Sequence, residues 1–170
     1  MNVLEAVRRR RSIRSFLGKD VPEELLSLLI EALVWAPSAG NLQSRRFYIV
    51  KGEMLRKELA AAALNQSFVR EAPVVVVCCT DSRIARSYGQ RGTELYTIQD
   101  VAASIMCMML TAEENGLGTC WVGAFHEREV MKVMDLPAGH RPVALVPVGY
   151  PSRIPKPTSR LPADEVVVFK

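Results

Sequence analysis

Apolar positions along the chain switch between helical and strand spacing, and the switches divide it into elements. Asn2 to about Arg10 sets Val3, Leu4 and Val7 on one face, the pattern of a helix. A second helix is predicted to open near Asp20 and Pro22, with Glu23 and Glu24 in its first turn. Leu25, Leu26, Leu28, Leu29 and Leu33 give it a wide apolar face, and Pro37 and Gly40 end it. Phe47 to Val50 reads as a short strand, and Glu53 to about Leu64 as a helix. Val74 to Thr80 is a continuous run rich in β-branched residues after Pro73, the mark of a strand covered on both faces. A polar loop is expected around Asp81–Gly92, then a long helix from about Glu94 to Asn115, stopped by Gly116. Thr119 to Ala124 and Val143 to Val148 read as strands around a short helix, Glu127 to Met134. Pro151 to Pro162 is Pro-rich and expected to be extended. Glu165–Phe169 resembles a strand with no partner nearby in sequence, and so belongs at a sheet edge, on this chain or on another copy.

Helices lead and strands are spread throughout, which favours an α+β fold: one central sheet with helices on its faces. At 170 residues, 49% hydrophobic and 24% charged, the chain fits a single domain over 1–170 with a core that needs no disulfides or metal. Val101 to Ala112 is apolar or small all the way round, leaving no face for water. It is too short to span a bilayer, which takes about 20 residues. Either a dimer core or the centre of a monomeric bundle would enclose it.

The net charge of +4 comes from 22 Lys plus Arg against 18 Asp plus Glu, and the excess gathers near the N-terminus at Arg8, Arg9, Arg10, Arg11 and Arg14. A single cluster suits one anionic ligand or a solvated face better than a nucleic-acid surface. Cys78, Cys79, Cys107 and Cys120 lie in apolar runs without CxxC spacing, and His126 and His140 are not spaced as a metal pair. Buried thiols and a reducing cytoplasm are the expectation.

No dinucleotide fingerprint, P-loop or GxSxG is present, and no Cys–His or Ser–His–Asp set can be assembled. An enzyme of this sequence therefore relies on a cofactor. Arg10-Arg11-Ser12-Ile13-Arg14 offers cationic forks, a hydroxyl and amides suited to a phosphate monoester, or else a basic solvated patch. Ala36-Pro37-Ser38-Ala39-Gly40-Asn41-Leu42-Gln43 is either a helix-terminating loop or a surface for a flat heterocycle, with Asn41 and Gln43 supplying amides. In Gly118–Phe125, Gly123 suggests a bulge or a close approach of backbone to ligand, whereas core is the commoner fate of an aromatic such as Trp121. Lys156 and Arg160 could close over an anion.

Taken in order, RRSIRSF, APSAGNLQ, APVVVVCCTD, GLGTCWVGAF and VPVGYPSRIPKPTSRLP resemble the nitroreductase family over nearly the whole chain, and in particular its shorter members. The resemblance implies a central mixed, mainly antiparallel sheet flanked by helices, in an intertwined homodimer with FMN at the interface. By that resemblance Arg10, Ser12 and Arg160 contact the phosphate, with Arg11 assisting, and Arg14 lies at the N1/C2-carbonyl edge. Pro37, Ser38, Ala39, Asn41 and Gln43 border the flavin, most of them from the partner. Asn65 or Gln66 meets the pyrimidine edge, and Trp121, Val122 and Gly123 face N5. The implied activity is hydride transfer from NADH or NADPH through FMN to a small electron-poor acceptor, in ping-pong fashion; a flavin-storage or sensing protein is the alternative. No nucleic acid or membrane partner is implied. Two departures stand out. The family often has Pro-Trp after the Gln, where Ser44 and Arg45 stand here, and a lysine where Thr158 stands, leaving Lys156 as its substitute.

Overall fold

The computed structural model describes residues 1–170. Helices α1 (Val3–Arg9) and α2 (Glu23–Trp35) precede strand β1 (Arg45–Val50), then α3 (Glu53–Ala62), α4 (Ser67–Glu71) and β2 (Val74–Asp81). Helix α5 (Ala85–Arg91) runs through a π-helical turn, Gly92–Tyr96, into α6 (Thr97–Glu114). Strand β3 (Gly118–Thr119), α7 (Glu127–Val133), β4 (His140–Gly149) and a helical turn α8 (Ala163–Val166) complete the chain.

The four strands form one sheet of order β1-β2-β4-β3 with every ladder antiparallel. The mixed character expected from the resemblance is confined to one parallel bridge, Ser12 with Thr119.

Strand β2 explains the architecture. Its side chains alternate between two cores. Val75, Val77 and Cys79 meet Leu59, Phe68, Val69 and Val130 of α3, α4 and α7. Val74, Val76 and Cys78 meet Leu29, Leu33, Val101, Ile105 and Met108 of α2 and α6. Helices cover both faces, so Val74 to Cys79 are all apolar, and polar residues enter only at the strand's end, Thr80 and Asp81. Leu59 is completely buried, and Leu59→Ala is expected to cost about 2–5 kcal/mol in urea unfolding, the range for a truncated core leucine.

Several expectations are corrected. The polar stretch 82–91 is helical: its side chains are almost all exposed, so no apolar period marks it, and Gly89 (φ 54°) kinks it. Only Gly118–Thr119 pairs as strand in the segment expected to run to Ala124; beyond it a single bridge joins Val122 to Leu145. Glu165–Phe169 joins no sheet edge, and Phe169 is 95% exposed. Helix α6 is not enclosed within one chain, since Met106 is exposed and Ala102, Ala103, Cys107 and Leu110 are half-buried. Together with the preceding turns, the helical segment Ser82–Glu114 is long and apolar enough by composition to cross a membrane. Its buried side chains instead form the core against α2 and the sheet.

Candidate functional site

The arginine segment is held where β3 and β4 end. Ile13 N donates to Thr119 O (2.9 Å), Leu17 N to Tyr150 O (2.8 Å) and Ser152 N to Ser15 O (3.0 Å), and the Ser15 and Ser152 hydroxyls bond one another. Gly118 permits this closeness: a Cβ there would lie 2.6 Å from Ile13 Cγ1. Pinned in this way, the N-terminal arginines face the Pro-rich segment. Arg10, Arg11, Ser12, Arg14, Pro155, Lys156, Thr158 and Arg160 line one cavity of about 220 Å³.

No carboxylate lines that cavity, and none of its five cations takes part in an ion pair. Arg11 Nη1 caps α1 through the carbonyls of Arg8, Arg9 and Arg10, at 2.7–2.9 Å. Arg160 Nη1 holds Thr158 Oγ1 (2.7 Å) and Ser159 O (2.9 Å). The side chains of Arg10, Arg14 and Lys156 donate no hydrogen bond to the protein, so a tetrahedral dianion meets concentrated positive charge and a hydroxyl. The residues present fit a phosphate monoester. Thr158, the departure from the family pattern, lines the cavity beside Lys156 rather than leaving a gap. Sequence reasoning passed over Arg153, which with Ser12, Arg14, Ser15 and Pro155 lines an adjoining cavity of about 240 Å³. Its signal was a third cation in the segment already singled out. The thiol of Cys120 sits beneath, pushed up by burial and drawn partly back by Arg14, the Ser12 hydroxyl and Arg10.

Beyond Cys120, Trp121 is 38% exposed and Val122 is buried, its N and O both bonded to Leu145. Gly123 is exposed, with open space where a Cβ would stand. Gln66 Nε2 donates to Ala63 O (2.8 Å) and Ala124 O (3.0 Å), tying its loop to this backbone and leaving Oε1 free to accept. Asn65, in left-handed conformation (φ 59°), turns instead to a cavity with Lys57, Ser67 and Arg70. Of the two amides, Gln66 is the one beside Gly123.

The Pro37–Gln43 loop contributes to neither cavity lined by arginine. It is held rigidly elsewhere on the chain. Arg45, on β1 and only 5% exposed, donates to Ala36 O (2.7 Å), Val34 O (2.9 Å) and Pro37 O (3.1 Å). These are carbonyls that the end of α2 leaves unpaired. Asp100 Oδ1 receives Ala39 N (2.9 Å), and Ser38 Oγ receives Gln43 N (3.0 Å). Gly40 (φ 54°) lies so close to Tyr88 that a Cβ would sit 2.5 Å from its hydroxyl. Burial pulls the Arg45 pKa down and Asp100 opposes it. The Ser44-Arg45 departure therefore builds a brace: Ser44 O accepts from the Thr97 hydroxyl while Arg45 grips the loop. Nothing in the local sequence announced it, because its partners lie as far as 55 residues away.

The family model described as Nitroreductase family matches residues 7–66 and 54–150. A Thermus thermophilus protein named NADH dehydrogenase is 31% identical over 193 residues, covering 97% of this chain and 94% of its own. A Bacillus subtilis protein named FMN reductase, NAD(P)H, is 29% identical over 178 residues, covering 96% of this chain and 72% of its own. The solved structure of the Vibrio harveyi NADPH:FMN oxidoreductase complexed with NAD+ superposes with a TM-score of 0.91 at 29% identity, covering 99% of this chain and 77% of that one.

Proposed function

The chain belongs to the nitroreductase family, and from that premise we propose that it is an NAD(P)H-dependent flavin oxidoreductase that holds FMN and reduces a small electron-poor acceptor such as a nitroaromatic or quinone. The observation that carries this reading is the cavity of five unpaired cations, Arg10, Arg11, Arg14, Lys156 and Arg160, with Ser12 and Thr158 among them. Its charge and hydroxyls suit the phosphate of FMN. When bound, the flavin supplies hydride acceptance and donation at N5. The protein's part is to bind, orient and polarise.

Arg10, Ser12, Lys156 and Arg160 hold the phosphate. Arg14, exposed on the same segment, presents a fixed positive charge toward the pyrimidine edge, where reduction places negative charge. The free Oε1 of Gln66 accepts from the ring imide. The uncrowded backbone at Gly123 lets a flat ring approach, and Trp121 borders it. On this reading donor and acceptor take turns beside the same flavin, which is the ping-pong order.

The Pro37–Gln43 loop completes the site from a second copy of the chain. Support for a homodimer comes from apolar surface left bare on one chain: Val3, Leu4 and Val7 of α1, Leu28, Ile30, Val34 and Trp35 of α2, and Met106 of α6. Trp35 is 80% exposed immediately before the loop, so an interface formed there carries the loop into the neighbouring subunit's site.

The test is a visible spectrum of the purified protein with the released cofactor identified, followed by NADH and NADPH oxidation with menadione or a nitroaromatic. A yellow dimer that turns over is the expected result. A colourless protein that takes up no FMN when supplied overturns the reading, and a flavoprotein without turnover leaves the storage alternative standing. Arg14→Ala and Arg160→Ala are each expected to weaken FMN retention by about tenfold or more, the scale of one charge-assisted contact. Equilibrium dialysis reads this directly.

A further inference from the structure

We propose that Lys57, Asn65, Ser67 and Arg70 form a second anion subsite, which takes the 2′-phosphate of the reduced nicotinamide donor and so makes the protein prefer NADPH. The inference rests on the flavin-oxidoreductase reading. These four residues, with Ala60 and Ala61, line a cavity of about 250 Å³ between α3 and α4. No carboxylate lines it, and neither the Lys57 nor the Arg70 side chain takes part in an ion pair or donates a hydrogen bond within the chain. Two uncompensated cations with an amide and a hydroxyl converging on one cavity match a phosphate monoester in charge and donors. A pyrophosphate diester, with its charge spread over two groups, matches it less well.

The frame of the subsite is fixed. Arg56 Nη1 donates to Arg70 O (2.5 Å) and Ala72 O (2.6 Å), and its Nε to Lys51 O (3.1 Å), locking α4 against the start of α3. Leu64 and Asn65 are consecutive left-handed residues (φ 57° and 59°), a sharp turn that places Asn65 in the cavity. The next residue, Gln66, is tied to Ala124 O beside the backbone assigned to the flavin ring. The subsite and the ring-facing backbone thus adjoin one loop, and a donor whose nicotinamide stacks at Gly123 can extend its adenosine end over α3 and α4.

Isothermal titration of the full-length protein as purified, with 2′,5′-ADP, 3′,5′-ADP and 5′-AMP as probes, tests this without turnover. The 2′-phosphate isomer is expected to bind about tenfold tighter than the other two, and Lys57→Gln/Arg70→Gln is expected to erase the difference. In steady state the same variant raises KM for NADPH about tenfold, with KM for NADH and kcat unchanged. Both side chains are exposed, so the variant should fold and keep its visible spectrum. Equal binding of the three nucleotides, or a preference surviving in the variant, overturns the proposal. Loss of the flavin reading would show separately, as a colourless protein in the same titration cell.

Discussion

Replacing Arg45 with methionine is expected to destabilise the protein by about 3–5 kcal/mol, the cost of leaving several buried carbonyls without their charged donor. Three carbonyls, of Val34, Ala36 and Pro37, lose their donor, and Asp100, 5% exposed, loses the positive charge that it acts on across the loop. Urea unfolding reads the stability, and FMN affinity should fall as well, since the released loop carries Ser38 and Asn41. Arg45→Lys is the informative second variant. A lysine restores the charge but cannot reach the three carbonyls as a planar fork, so it should recover part of the stability while FMN binding stays weak. Full FMN affinity in a folded Arg45→Met protein would mean that the loop takes no part in the site. Asp100→Asn should couple to Arg45→Met in a double-mutant cycle, because the two share the loop they hold.

Alkaline pH is expected to unfold the protein through its sheet. Burial pushes the Cys79 thiol from 9.0 up to about 12, and burial pushes Cys78 beside it well up too. Between pH 9 and about 12 the folded chain keeps a proton that the unfolded chain has released. The stabilisation is therefore complete below pH 9 and is lost as pH rises, by about 1.4 kcal/mol per unit and about 4 kcal/mol in all for Cys79 alone. Urea midpoints at pH 8, 9 and 10, with reductant present, give the slope. Cys79→Ala should flatten it, and an unchanged slope in that variant would place the alkaline sensitivity elsewhere.

Most elements with a buried face were legible in the chain, and the reason is periodicity. Strand β2 had to be apolar from Val74 to Cys79 because both faces are covered, and α2 sets Leu26, Leu29 and Leu33 at helical spacing. Elements without a buried face left no such trace. Helix α5 is polar all round and read as a loop. Val166 to Phe169 carries strand-like residues but has no strand beside it within one chain, and propensity without a partner does not make a sheet.

The site divides along the same line. By itself the sequence singled out Arg10 to Arg14 and Lys156 to Arg160 as candidates for one anion, because each carries cations and hydroxyls within a few residues, and the fold brings the two segments to one cavity. It also pointed to a cofactor rather than a protein nucleophile for an enzyme of this sequence. Only the tertiary structure decided which amide stands beside Gly123, that Arg45 grips the loop from a neighbouring strand, and that Lys57 and Arg70 share one cavity. Those facts depend on where distant backbone comes to rest, and a side chain's partner across tens of residues leaves no mark on its own neighbours in the chain.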